Sequence, residues 1–178
     1  LAAYKIPEAA KFLDVFVDEL SNWYVRRSRE RFWAKGMGQD KINAYMTLWT
    51  ALTEISKAAA PMVPFITEEI YQNLVRSCDA AAPESIHLCD FPVVKEEWID
   101  ADLEASMDEL PKVVVLGRAC RNEANIKNRQ PIAKMYVKAE QALPEYFVEI
   151  IEDELNVKSC EFTDDVENFT TYTFKPQL

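Results

Sequence analysis

Glycine is scarce in this chain, with 3 among 178 residues, and there is a single histidine, His87. So little glycine argues against a turn-dense all-β fold, and no glycine-rich phosphate loop is present. One histidine leaves no credible Ser/His/Asp or Cys/His set for nucleophilic catalysis. The cysteines Cys78, Cys89, Cys120 and Cys160 contain no CxxC pair, so they are read as free thiols and no metal site is expected. His87 and Cys89 would lie on one side of a short strand, which supplies two ligands and no more. No apolar run reaches bilayer length and no secretory signal opens the chain, so the expectation is a cytoplasmic protein without a membrane partner. The adjacent pairs Glu68-Glu69 and Glu96-Glu97 send their carboxylates to different sides of a helix and build no reaction centre.

What is present points to a packed, helix-rich protein. Hydrophobic residues make up 49% and aromatics 11%, enough to bury a substantial core without disulfides. The formal net charge is -10, yet its distribution is uneven. Residues 118–138 carry six Lys and Arg against one Asp or Glu. A second concentration lies in SNWYVRRSRERFW, residues 21–33, which holds four arginines and four aromatics. Basic islands on an acidic chain are what an anionic partner would need.

Apolar spacing over 7–34 predicts one long amphipathic helix, with Pro7 in its first turn and Gly36 and Gly38 at its stop. Asp40 is expected to cap the next helix, whose buried stripe would be Ile42, Tyr45, Trp49, Leu52, Ile55 and Ala59, ending before Pro61. A third helix is expected over 64–76, and SIHLCDFP alternates as a short strand. Asp100 or Asp102 opens a fourth helix, with a kink or break near Leu110 because Pro111 follows. Beyond Gln130 the pattern reads strand, helix, strand, with TTYTF as a possible third strand. The fold class is therefore mainly α, a bundle of about four to five helices over 1–130 followed by a small α+β subdomain over 131–178. The last residues, FKPQL, read as a chain cut from something longer.

On an ideal helical wheel Asn22, Arg26, Arg29 and Trp33 share one face, while Arg27 and Arg31 continue the line of Leu20, Trp23 and Tyr24 on the core side. Guanidinium groups fork onto phosphate oxygens, and exposed indoles offer flat faces to unstacked bases. The first set suits a nucleic-acid loop. Arg27 and Arg31 are better placed to pair with carboxylates of a neighbouring helix, for which Glu54, Glu68 or Glu69 are candidates, and the tryptophans are in most positions expected in the core. The second island spans the end of the fourth helix, where a fraying, Asn-rich terminus would expose Lys127, Arg129 and Lys134 to a phosphate backbone. A helical protein-interaction module, with its arginines paired internally or to an acidic partner, is the alternative from another class.

The segments SNWYVRRSRERFW, APMVPFITEEIYQNL, SIHLCDFP and GRACRNEANIKNRQPI, in this order and spacing, closely resemble the C-terminal part of isoleucyl-tRNA synthetases, which are class I aminoacyl-tRNA synthetases. The valyl and leucyl relatives share some of these elements. The resemblance implies a helical anticodon-binding domain that receives the anticodon stem-loop of tRNA(Ile), followed by a small α+β extension. It implies a parent ligase that attaches isoleucine to tRNA using ATP with Mg, through catalytic and editing domains outside this chain. The HIGH and KMSKS signatures of the catalytic half do not occur, so no cofactor is expected in this segment, and a monomer is expected. Carried over by position, Asn22, Trp23, Arg26, Arg27, Arg29 and Arg31 match the family's arginine-rich helix, and Lys127, Arg129 and Gln130 match its following basic segment. Trp33 joins Arg26 and Arg29 as an expected RNA contact, and Pro111 departs from the continuous helix expected there.

Overall fold

The computed structural model describes residues 4–138 and 143–164. Contacts divide it into two units, Leu1–Val94 and Lys95–Leu178. The fold class expected from the sequence holds: helices dominate, with one small two-stranded parallel sheet.

In the first unit, α1 (Ile6–Glu19) starts with proline in its first turn, where the missing N–H would have had no helical partner. The single long helix expected over 7–34 is interrupted. Leu20–Val25 form a π-helical segment, Ser28 makes a turn, and α2 is the short Arg29–Trp33. The wider π turn inserts a residue, so the ideal wheel phase does not carry from α1 into α2. Helix α2 ends as Ala34 turns extended (φ -52, ψ 143), and Gly36 follows with φ +76, a left-handed conformation that glycine adopts without a Cβ penalty.

Helix α3 spans Gln39–Ala59 and starts at Gly38 without a side-chain cap. Asp40 does not cap it, because its carboxylate is engaged by Arg31. The buried residues of α3 are Ala44, Thr53, Ser56 and Ala59, a small and partly polar set. The expected stripe is thus corrected in part: Ala59 is buried as expected, but Ile42, Tyr45 and Trp49 are exposed. Thr53 remains satisfied by donating its hydroxyl to the Trp49 carbonyl at 2.9 Å, which removes the cost of burying it.

Helix α4 (Pro64–Tyr71) continues into a π-helical segment, Gln72–Arg76, giving the expected third-helix span. The loop beyond it is fastened by side chains. Tyr71 donates to the Pro83 carbonyl at 2.8 Å, and burial pushes its phenol up to about 12. Glu68 accepts from the Ser85 hydroxyl at 2.7 Å and the Ile86 amide at 3.0 Å. Hydrogen bonds from Gln72 first, then Ser85 and Ile86, hold its carboxyl below the usual range. These contacts explain why SIHLCDFP is not a strand. Ile86–Leu88 form a 3₁₀ turn capped by Ser85, and a single extended segment without a pairing neighbour has no ladder to satisfy its backbone.

In the second unit, Asp100 caps α5 (Ala101–Glu123) through the Leu103 amide at 3.0 Å. The helix runs through Pro111 without the break expected near Leu110. Leu110 and Val114 are buried there, so packing across the proline offsets the missing backbone donor. Helix α6 (Glu145–Leu155) buries Phe147, Ile150, Ile151 and Leu155. A side chain at Gly117 would strike Leu155, which marks the close approach of α5 to α6. Strands β1 (Met135–Val137) and β2 (Cys160–Phe162) pair in parallel with Met135 opposite Cys160. The strand-helix-strand order is as expected; TTYTF lies outside the described residues.

Candidate nucleic-acid interface

The first island owes its geometry to the aromatics beside the arginines. Tyr24 donates to the Ala44 carbonyl of α3 at 2.9 Å. Phe32 meets Tyr24 edge-on at 6.4 Å and packs on Tyr45 at 5.0 Å. Lys41 of α3 donates to the Ala34 carbonyl at 2.8 Å. These contacts fix one side of residues 24–34 to α3, and the opposite side is left for charge.

Asn22, Arg26, Arg29 and Trp33 are exposed, as expected, although the helix that carries them is interrupted. The Arg26 guanidinium lies 5.8 Å from the Trp23 ring centroid, and that of Arg29 lies 5.4 Å from Trp33. Arg26 also donates through Nε to the Asn22 carbonyl at 2.7 Å. Guanidinium and indole stacked together present a planar cationic surface, able to take a phosphate at the edge or a base on the face. Trp33 is 75% exposed, in keeping with the sequence; none of the four tryptophans is buried, which corrects the expectation that most of them lie in the core.

Arg27 and Arg31 are half-buried. Arg31 forms a forked pair with Asp40, at 2.7 Å and 2.9 Å, and this hydrogen bonding holds the Asp40 carboxyl below its ordinary value. For Arg31 this partner is Asp40, nine residues away, which is not one of the glutamates expected from the sequence. Glu54 pairs with Lys57 at 3.0 Å.

The second island is thinner in space than in sequence. Arg118 pairs with Glu154 at 2.8 Å, across α5 and α6, and that carboxylate side chain is only 3% exposed. Lys134 pairs with Glu161 of β2. Arg121 is 3% exposed and turned inward. Lys127 and Arg129 are exposed and, through their side chains, make no ion pair or hydrogen bond among the described residues. Gln130 is exposed beside them.

These residues do not sit on a fraying terminus. Helix α5 closes with Asn125 in the left-handed region at φ 54. The Ile126 amide donates back to the Arg121 carbonyl at 2.8 Å, and the Asn125 amide to that of Asn122 at 3.1 Å. This is the Schellman arrangement, with asparagine in place of glycine. Sequence reasoning missed both the closure and Arg121. The available signal was an asparagine just past the last helical turn.

The chain is similar to known proteins. The model of the anticodon-binding domain of tRNA ligases matches residues 1–137. An isoleucine–tRNA ligase of Clostridium tetani is 53% identical over 176 residues, which is 99% of this chain and 17% of that protein. The isoleucine–tRNA ligase of Clostridium acetobutylicum is 49% identical over the whole chain. Isoleucine–tRNA ligase 2 of Bacillus cereus is 42% identical over 97% of the chain and 16% of its own length. The chain spans about one sixth of the length of these relatives, and it belongs to the family of tRNA ligase anticodon-binding domains.

Proposed function

We propose that this chain is the anticodon-recognising part of an isoleucine–tRNA ligase and that it binds the anticodon stem-loop of tRNA(Ile). The observation that carries this reading is the near-complete coverage of the chain, at 42–53% identity, by proteins of that name. In this reading the parent enzyme attaches isoleucine to tRNA with ATP and Mg, in the cytoplasm and as a monomer. Its catalytic and editing domains lie outside these residues. The bundle role extends over 1–130 and the α+β extension over 131–178.

The contribution of this chain is binding and discrimination. Arg26 and Arg29 would fork onto phosphates, Trp33 and Trp23 would stack on unpaired bases, and Asn22 would add a polar contact at the same surface. Arg27 and Arg31 would hold the platform against its own helices. Lys127, Arg129 and Gln130 would contact the backbone of the same RNA and so position it without reading sequence. Acidic surface elsewhere would discourage indiscriminate binding.

The test is the affinity of the chain for an anticodon stem-loop carrying an isoleucine anticodon, beside a scrambled loop, at two salt concentrations. Preference for the first that weakens with salt is expected, since phosphate contacts release counterions. Equal affinity for both loops would overturn the assignment of anticodon reading to this chain.

A further inference from the structure

Arg121 points away from solvent, although it stands in a basic island. The two N–H bonds of its Nη2 are shared among three carbonyls, those of Lys127 at 2.7 Å and Asn128 at 3.3 Å, and that of Gln130. Its Nε and Nη1 are buried with no hydrogen-bond partner among the described residues. A guanidinium sealed from water with only neutral acceptors is costly, so the loop it holds must gain from the arrangement.

The result is a loop wrapped round one nitrogen. Three carbonyls of residues 127–130 converge on Nη2, and all four of these residues are exposed. The Gln130 amide closes the turn onto the Lys127 carbonyl at 2.9 Å, and the Asn156 side chain donates to the Asn128 carbonyl at 3.3 Å. Backbone drawn inward sends side chains outward. The Arg121 carbonyl also receives the Ile126 amide at 2.8 Å, so one residue fixes both the start of the loop and its interior.

We propose that Arg121 is a positioning residue for nucleic-acid contact: an internal strut that presents Lys127, Arg129 and Gln130 to a phosphate backbone while touching no RNA itself. This rests on the reading of Lys127 and Arg129 as RNA contacts. A loop ordered before binding spares the entropy of ordering it on the ligand, and two cations held in fixed places meet phosphates together.

The experiment compares Arg121→Gln, Arg121→Lys, Lys127→Ala/Arg129→Ala and the combined variants in the full chain. The probe is a full-length tRNA transcript with an isoleucine anticodon, and exchange of the Gln130 amide is followed in parallel. Arg121→Gln is expected to weaken binding about fivefold, the equivalent of ordering one or two long side chains on the ligand. Gln130 exchange should accelerate while α6 amides keep their protection, and Arg121→Lys should recover part of the loss. Added to Lys127→Ala/Arg129→Ala, the Arg121 change should weaken binding by much less than it does alone, because most of its effect passes through those two side chains and only the Gln130 contact is left to lose. Full additivity would overturn the proposal, since Arg121 would then act on RNA directly or through global unfolding. Unchanged affinity with faster Gln130 exchange would also overturn it. Should Arg121→Gln fail to fold, the Lys variant carries the same additivity test. If Lys127→Ala/Arg129→Ala itself has no effect, the underlying reading of the loop falls, which separates that failure from a failure of the strut alone.

Discussion

The two basic islands look alike as sequence and differ as structure. Around Arg26 and Arg29 the charges stand on a surface built by aromatics, with Tyr24, Phe32 and Tyr45 locking one side to α3 and Trp23 and Trp33 under the guanidinium groups on the other. Around Lys127 much of the charge is engaged internally. Arg118 and Lys134 are claimed by Glu154 and Glu161, residues from distant parts of the chain, and Arg121 by backbone carbonyls. Linear charge density therefore overstates the second island. What survives is a pair of cations on an ordered loop, Lys127 and Arg129, with Lys138 exposed just beyond β1.

That difference is open to attack at its strongest point first. Replacing Arg26 and Arg29 together by alanine should weaken RNA binding by about 3 kcal/mol or more, on the order of a hundredfold, if each guanidinium makes a charge-assisted bond to phosphate. The fold should survive, because both side chains are exposed. Affinity equal to that of the parent chain, measured by fluorescence anisotropy at low salt, would reduce the aromatic platform to a structural feature.

Lys127→Ala/Arg129→Ala should cost less, about tenfold, and should lower the slope of log affinity against log salt by about 2, one for each phosphate that the two cations would neutralise. The slope is the more telling quantity. A drop in affinity with the slope unchanged would mean that the loop acts through packing rather than counterion release.

Legibility in the sequence follows the same division. Periodicity located α3, α4, α5 and the strand-helix-strand element from their apolar spacing, although in α3 the side chains actually buried are small and partly polar. It failed at residues 20–28, where a π turn absorbs an extra residue without marking the composition, and at SIHLCDFP, where Glu68, seventeen residues from Ser85, dictates a 3₁₀ turn. The exposure of Asn22, Arg26, Arg29 and Trp33 could be read from residue type and spacing. The burial of Arg121 could not, since its acceptors are backbone carbonyls and every residue has one.

Arg118→Ala tests whether charge paired inside the protein is withheld from RNA. It takes the Arg118 guanidinium away from the buried Glu154 carboxylate, which should lower stability by about 1 to 2 kcal/mol, discounted because Arg118 is 44% exposed on its own side. RNA affinity should stay within about twofold of the parent, as expected for a group that makes no phosphate contact. A loss comparable to that of Lys127→Ala/Arg129→Ala would restore Arg118 to the binding surface and remove the distinction between sequence density and usable charge.

The smallest expected effect belongs to Asp40→Asn. Arg31 lowers the Asp40 carboxyl below its ordinary 3.8 through their hydrogen bonds. A depressed carboxyl stabilises the folded state above the unfolded value, and that contribution is lost as pH falls through the folded value. Asp40→Asn should therefore leave stability slightly reduced at neutral pH, with the gap starting to close as pH falls toward 3.8 and vanishing only below the lower folded value. Thermal melting across this range checks the crossover. RNA binding at neutral pH supplies the sharper comparison: if Arg31 serves only to hold α2 against α3, removal of its carboxylate should not raise affinity. A gain would show that Asp40 withholds Arg31 from the phosphate surface, and the aromatic platform would then contain a third RNA-facing guanidinium.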